Sequence, residues 1–256
     1  MTNFTEADGR LVNSNNPKNS YIEIPNGGIA LASSDDTFSI SSQGRYNIYG
    51  GDGTDTLVVD YSSISTNSTN STNKGFYTGT SYFGSNAIFL DKKSNYIAYT
   101  GIEKLNITGT QLDDTFRGGG NGNNNVKGEG GNDTFFVSFG NTSPDGNFFD
   151  GGEGNDILSF SFANNKNQAL TIKSTKENKA TINDGTNLEN IEELQVHLRN
   201  NANDSILWLG TGNDDIKTSS GNDTIVSGAG NDILNGGDGY DSLTGANPQA
   251  VEPGKG

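Results

Sequence analysis

The sequence predicts an all-β fold in which short strands wind into flattened coils and stack, with strand-rich excursions between the stacks. Three observations predict it. An aspartate returns every nine residues at Asp214, Asp223, Asp232 and Asp241. An aliphatic residue follows each by two places, at Ile216, Ile225, Leu234 and Leu243. Only 30% of the 256 residues are hydrophobic, while 36 are glycine and the formal net charge is −15. A chain so poor in apolar residues cannot offset its conformational entropy with a large core alone. Stacked repeats and a neutralising cation are the expected sources of cohesion.

Along the chain, residues 1–30 are a lead-in with strand character. The first repeat block, 31–58, holds SDDTF with Asp36 and GGDGTDTLV with Asp55. A strand-rich excursion follows over 59–109, with AIFL and YIAYT as strands and STNSTNSTN at 65–73 as a low-complexity, mobile loop. The second block, 110–159, contains LDDTF with Asp114, GEGGNDTFF with Asp133 and GGEGNDILS with Asp156. Two features weaken it: Asn124 stands where an aspartate is expected, and FGNTSPDGN at 139–147 interrupts the period and puts the stacking in question. Tyr46 likewise replaces an aspartate in the first block.

A second excursion spans 160–203, with ALTIKS and ATIND as strands. It ends in NIEELQVH, which resembles GIEKLNIT at the end of the first excursion. LENIEELQVHL also fits a helical i, i+3 pattern. Strand is preferred because Leu194, Val196 and Leu198 alternate. The third block, 204–245, opens with Asp204 and runs through four units in one register, and 246–256 is a tail.

Within each unit, glycine, asparagine and aspartate supply turn chemistry over six positions. The last three positions suit a very short strand whose middle residue points inward. Two units make one coil with a turn at each end. Stacking then places Asp214 over Asp232 and Asp223 over Asp241. Two carboxylates about 5 Å apart repel by roughly 3 kcal/mol at an effective dielectric near 20, so a ladder of them needs a counter-ion. Calcium suits this best, because it accepts six to eight oxygen ligands in flexible geometry, whereas magnesium demands a tight octahedron. Zinc prefers nitrogen and sulfur, and the chain has no cysteine and one histidine, His197, expected at the surface or a sheet edge.

GGDGTDTLV and GGEGNDILS match the nonapeptide GGxGxDxUx, and seven good copies of the pattern occur. The chain thus resembles the repeats-in-toxin (RTX) family, in particular large cyanobacterial-type hemolysin-like proteins, and looks cut from a longer chain of that kind. The resemblance implies a parallel β-roll with calcium between turns stacked two units apart. Its ligands would be the sixth-position aspartates Asp55, Asp133, Asp156, Asp214, Asp223, Asp232 and Asp241, together with carbonyls from the first four positions. Gly210, Gly212, Gly228 and Gly230 would offer such carbonyls near Asp214 and Asp232. Gly221, Gly237 and Gly239 would do so near Asp223 and Asp241. Asp36, Asp114 and Asp204 have two readings, further ligands or ordinary Asx turns. Calcium is expected to bind weakly, or not at all, at Tyr46 and Asn124.

Other function classes fit less well. Nucleic acid and anionic membranes call for clustered basic residues, and no run of 18 apolar residues exists to span a bilayer. MTNFTEADGRLVNSNN does not read as a secretory signal peptide. Neighbouring acids such as Asp113 and Asp114 point to opposite faces of an extended chain and cannot converge as a catalytic pair. No HExxH, GxSxG or Walker A pattern occurs, so no enzyme is expected. Trp208 and the tyrosines read as packing rather than a sugar platform. The expectation is a secreted, calcium-binding repeat protein, exported by type I secretion as the resemblance implies, with several calcium ions and a structural, adhesive or surface role. The alternative is an accessory module of a secreted enzyme or toxin whose catalytic domain lies elsewhere. A cell-surface or polysaccharide partner is left open.

Overall fold

The computed structural model describes residues 35–64, 74–80, 86–89, 96–117, 123–139, 146–162 and 169–245, plus the backbone of four short strands between Thr2 and Ala30. The low-complexity run 65–73 and the tail 246–256 lie outside the described residues. All the regular structure among the described residues is strand, arranged in one sheet of 14 strands and one of 11. From Asp36 onward, outside the two excursions, the chain alternates between the two, and strands pair in parallel with those one coil later. This is a parallel β-roll.

The register follows the nonapeptide. Ile225 pairs with Leu243 and Ile216 with Leu234, 18 residues or two units apart. Each three-residue strand of this last array places its middle residue inside, so Ile216, Ile225 and Leu234 are 0–1% exposed. Earlier strands are longer and point two residues inward. Phe38 with Ile40, Leu57 with Val59, Phe135 with Val137 and Leu158 with Phe160 are all buried. The core is therefore deeper than the composition predicts. It runs as one cluster from Phe38 to Leu234, thickened by Phe116 stacked on Phe135 at 4.7 Å and by Phe76 edge-on to Phe116 at 4.7 Å.

The interruption at 139–147 does not break the stack, contrary to what its length suggests. Strand Asn125–Gly130 still pairs with Phe148–Glu153, and Thr134–Phe139 with Ile157–Phe162. The parallel bonds on either side hold the register.

Each excursion is a meander of three antiparallel strands. The first, Lys74–Thr80, Asn86–Phe89 and Tyr96–Thr100, joins the smaller sheet. The second, Thr171–Lys176, Lys179–Ile182 and Asn187–Glu189, joins the larger one. An odd number of antiparallel strands restores the original direction, so the outer strands pair in parallel with the roll on both sides. NIEELQVH is strand at Glu193–His197, not helix.

Candidate metal centre

The turns between the sheets form two columns, one along each edge of the roll. In each column the sixth-position aspartate is buried: Asp36, Asp55, Asp114, Asp133, Asp156, Asp204, Asp214, Asp223 and Asp232 are at most 2% exposed, while Asp241 is partly exposed. The stacking explains why. One carboxylate oxygen accepts the backbone N–H of the equivalent aspartate one coil earlier. Asp36 N–H donates to Asp55 at 2.8 Å, Asp114 to Asp133 at 2.7 Å and Asp133 to Asp156 at 2.7 Å. Asp204 donates to Asp223 at 2.7 Å, Asp214 to Asp232 at 3.1 Å and Asp223 to Asp241 at 2.9 Å. Thus Asp214 stacks with Asp232 and Asp223 with Asp241. Asp36, Asp114 and Asp204 stand in the same columns rather than in isolated Asx turns.

The other carboxylate oxygen is a different matter. Oδ2 of Asp55, Asp133, Asp156, Asp204, Asp214 and Asp223 is buried and has no hydrogen-bond partner. A buried ionised oxygen without a partner costs several kcal/mol. Only a proton or a cation offsets that. Burial, opposed by the backbone hydrogen bonds and reinforced by neighbouring carboxylates, lifts Asp114 and Asp156 to about 7, Asp214 to about 8 and Asp133 to about 9. Asp55 and Asp204 are also raised, burial again being the main cause.

Main-chain oxygens face the same places. A Cβ at Gly128 would collide with Asp133 Oδ2 and the Gly151 carbonyl. One at Gly109 would meet the Gly128 carbonyl and Asp114 Oδ2. In both cases the first glycine of a unit leaves room where its own aspartate and a carbonyl of the next coil converge, although Asp114 Oδ2 also accepts the Thr110 N–H at 2.7 Å. No three His, Cys, Asp or Glu side chains gather among the described residues, so an ion here would draw on few carboxylates and several carbonyls. That oxygen-only donor set fits calcium.

The C-terminal glycines are placed where turn meets turn. Gly228, Gly230, Gly237, Gly239 and Gly221 all have positive φ. The Gly212 carbonyl abuts Gly230 and the Gly221 carbonyl abuts Gly239, approaches a side chain would block. The Gly210 carbonyl accepts the Ala229 N–H at 3.0 Å. At Asp232 the second oxygen is satisfied from within, by the Ser227 hydroxyl at 2.6 Å.

The columns also hold Asn124, which the period places at an aspartate position, and four residues that the nonapeptide pattern misses. Asn124 and Asn147 stack in the larger-sheet column, where Asn147 Oδ1 accepts the Asn124 N–H at 3.1 Å and Asn124 accepts from Leu105 at 3.0 Å. The Thr186 hydroxyl accepts from Asn147 N–H at 3.3 Å. Glu103 accepts the Asp55 N–H at 2.8 Å, and Glu192 the Asp156 N–H at 2.8 Å. A signal for all five exists in the sequence. Each is followed two places on by an apolar residue (Leu105, Val126, Phe149, Leu188, Leu194), as each aspartate is. His197 is half-exposed and pairs with Asp215 at 3.1 Å, outside the columns.

Residues 47–60, 108–144, 143–165 and 208–243 match the RTX calcium-binding nonapeptide repeat family. Together they cover less than half of the chain. A search of curated proteins finds no match. The buried aspartate columns and these four matches lead to one conclusion: the chain carries RTX calcium-binding nonapeptide repeats, stacked as a parallel β-roll.

Proposed function

We propose that this is a secreted, non-catalytic protein whose roll is set by several calcium ions, with a structural or adhesive role outside the cell. The observation that supports this most is the row of buried aspartate oxygens without partners at Asp55, Asp133, Asp156, Asp204, Asp214 and Asp223. A fold with those groups ionised is poorly stable until cations join it. A ligand that binds only the folded state stabilises it by about 2.7 kcal/mol per site at a hundred times Kd. Low calcium therefore leaves the roll marginally stable and easily melted, and the millimolar calcium outside cells consolidates it. RTX repeat proteins are typically secreted, which agrees with that division.

Asp36, Asp55, Asp114, Asp133, Asp156, Asp204, Asp214, Asp223, Asp232 and Asp241 are the proposed carboxylate ligands. The carbonyls around Gly210, Gly212, Gly221, Gly228, Gly230, Gly237 and Gly239 complete the C-terminal sites. Titration with calcium, followed by far-ultraviolet circular dichroism and thermal melts, is expected to strengthen a weak β spectrum and to raise a low melting temperature. A fully folded apo protein whose spectrum and melting temperature ignore calcium would overturn the proposal.

A further inference from the structure

We propose that the two tripeptides that return the chain from its excursions, Gly101-Ile102-Glu103 and Asn190-Ile191-Glu192, complete two calcium sites with Asp55 and Asp156 although neither return is a nonapeptide. The inference rests on the calcium reading of the aspartate columns and extends it to residues outside the repeat pattern.

The two returns do the same thing at different edges. Each follows the last strand of a meander and leads into a strand of the opposite sheet, Lys104–Thr108 or Glu193–His197. That strand pairs with the one laid down before the excursion, Thr56–Asp60 or Ile157–Phe162. Each return therefore sits on a six-residue nonapeptide turn, GGDGTD at 50–55 or GGEGND at 151–156. The hydrogen bonds coincide. Glu103 and Lys104 N–H donate to the Asp55 carbonyl at 3.1 and 3.0 Å. Glu192 and Glu193 N–H donate to the Asp156 carbonyl at 3.0 Å each. Glu103 and Glu192 then reach back to the N–H of Asp55 and Asp156, where a stacked aspartate would otherwise reach. The longer glutamate side chain spans the distance that three missing turn residues leave.

The carbonyl is reproduced too. At an ordinary step, Gly128 faces Asp133 Oδ2 and the carbonyl of Gly151, the first residue of the next unit. At the first return, Gly50 faces Asp55 Oδ2 and the Gly101 carbonyl; at the second, Gly151 faces Asp156 Oδ2 and the Asn190 carbonyl. Gly101 and Asn190 both adopt left-handed backbone, at φ +65° and +50°. Glycine and asparagine are the residues that tolerate it most readily. In that conformation the carbonyl two places before the glutamate lies where a nonapeptide presents its first carbonyl. Asp55 and Asp156 are fully buried, and their Oδ2 atoms lack partners. Each site thus offers a carboxylate oxygen in need of a cation, a carbonyl beside it and a second carboxylate stacked above, which at Glu192 also accepts the Asn178 side-chain N–H at 2.7 Å.

The test uses Glu103→Gln and Glu192→Gln in the whole chain. Glutamine keeps the acceptor for the Asp55 or Asp156 N–H and removes the charge. Calcium stoichiometry by equilibrium dialysis and the melting temperature in chelator are measured for both variants and for the wild type. The expected result is loss of one ion from each variant, or at least a tenfold weaker site, with no fall in the chelated melting temperature. Full stoichiometry and unchanged affinity in folded variants overturn the inference. A wild type that binds no calcium overturns the underlying calcium reading instead. Should a variant not fold, anomalous scattering from terbium-soaked crystals of the wild type decides the matter. Peaks between Asp55 and Glu103 and between Asp156 and Glu192 support it; peaks at nonapeptide turns alone refute it.

Discussion

At the scale of single residues, the sixth-position aspartate has two jobs that pull in different directions. At Asp55, Asp133, Asp156, Asp204, Asp214 and Asp223, Oδ1 is a hydrogen-bond acceptor that sets the stacking, and Oδ2 is a buried, unpartnered atom whose ionisation opposes it. Asp133 separates the two most clearly, because burial and its neighbours Asp114 and Asp156 lift it to about 9. Asp133→Asn keeps an oxygen for the Asp114 N–H and deletes the charge. The variant is expected to melt several degrees higher than wild type in chelator, a gain of roughly 1–2 kcal/mol. It should gain less than wild type when calcium is added. Parallel thermal melts with and without calcium check both signs. Loss of stability under both conditions would mean that the carboxylate acts only as an acceptor.

At the scale of elements, each column of turns is a set of coupled carboxylates. The folded pKa of Asp114 and Asp156 is about 7, of Asp214 about 8 and of Asp133 about 9, each raised mainly by burial. The unfolded value for aspartate is near 4. A raised folded pKa means that the folded state holds more protons, so its contribution to stability is complete below about pH 4 and is lost as pH climbs through 7 to 9. In chelator, the melting temperature should therefore fall steadily from pH 5 to pH 9. Saturating calcium should remove most of that fall, because the ion takes the place of the proton. Melts in chelator at pH 5, 7 and 9 test this, and a flat or rising trend would contradict it.

The sequence disclosed these columns unevenly. Asp214, Asp223, Asp232 and Asp241 announced their stacking through strict spacing, and the structure pairs them accordingly. Glu103 and Glu192 were hidden because their turns are shorter than nine residues. Only the glutamate-x-leucine spacing that they share marks them in the sequence. The joining of each excursion to one particular sheet was not legible at all. That choice depends on which edge of the roll the chain leaves, and no local pattern encodes it.

At the scale of the whole molecule, the roll is deep-cored through its first two blocks and thin in the last. Phe38, Leu57, Phe135 and Phe160 belong to strands with two inward residues, while Ile216, Ile225 and Leu234 stand alone in theirs. The apolar share of 30% concealed this, because it averages over both regimes. The two excursions also balance. Each adds two strands beyond the one a coil would contribute, first to the smaller sheet and then to the larger. The sheets thus return to step before the C-terminal array begins.

Among the described residues, the column at one edge of the middle block is filled by uncharged side chains where aspartates would stand. There Asn124, Asn147 and Thr186 succeed one another while the opposite edge carries Asp114, Asp133, Asp156 and Glu192. Withdrawing calcium should consequently unzip the molecule from one flank. Amides of Asn124 and Asn147 should stay protected from hydrogen exchange after those of Asp114 and Asp133 have begun to open. The roll would then behave as a clasp, with the amide seam as its spine and the acid seam as the side that the calcium of the surroundings opens and shuts.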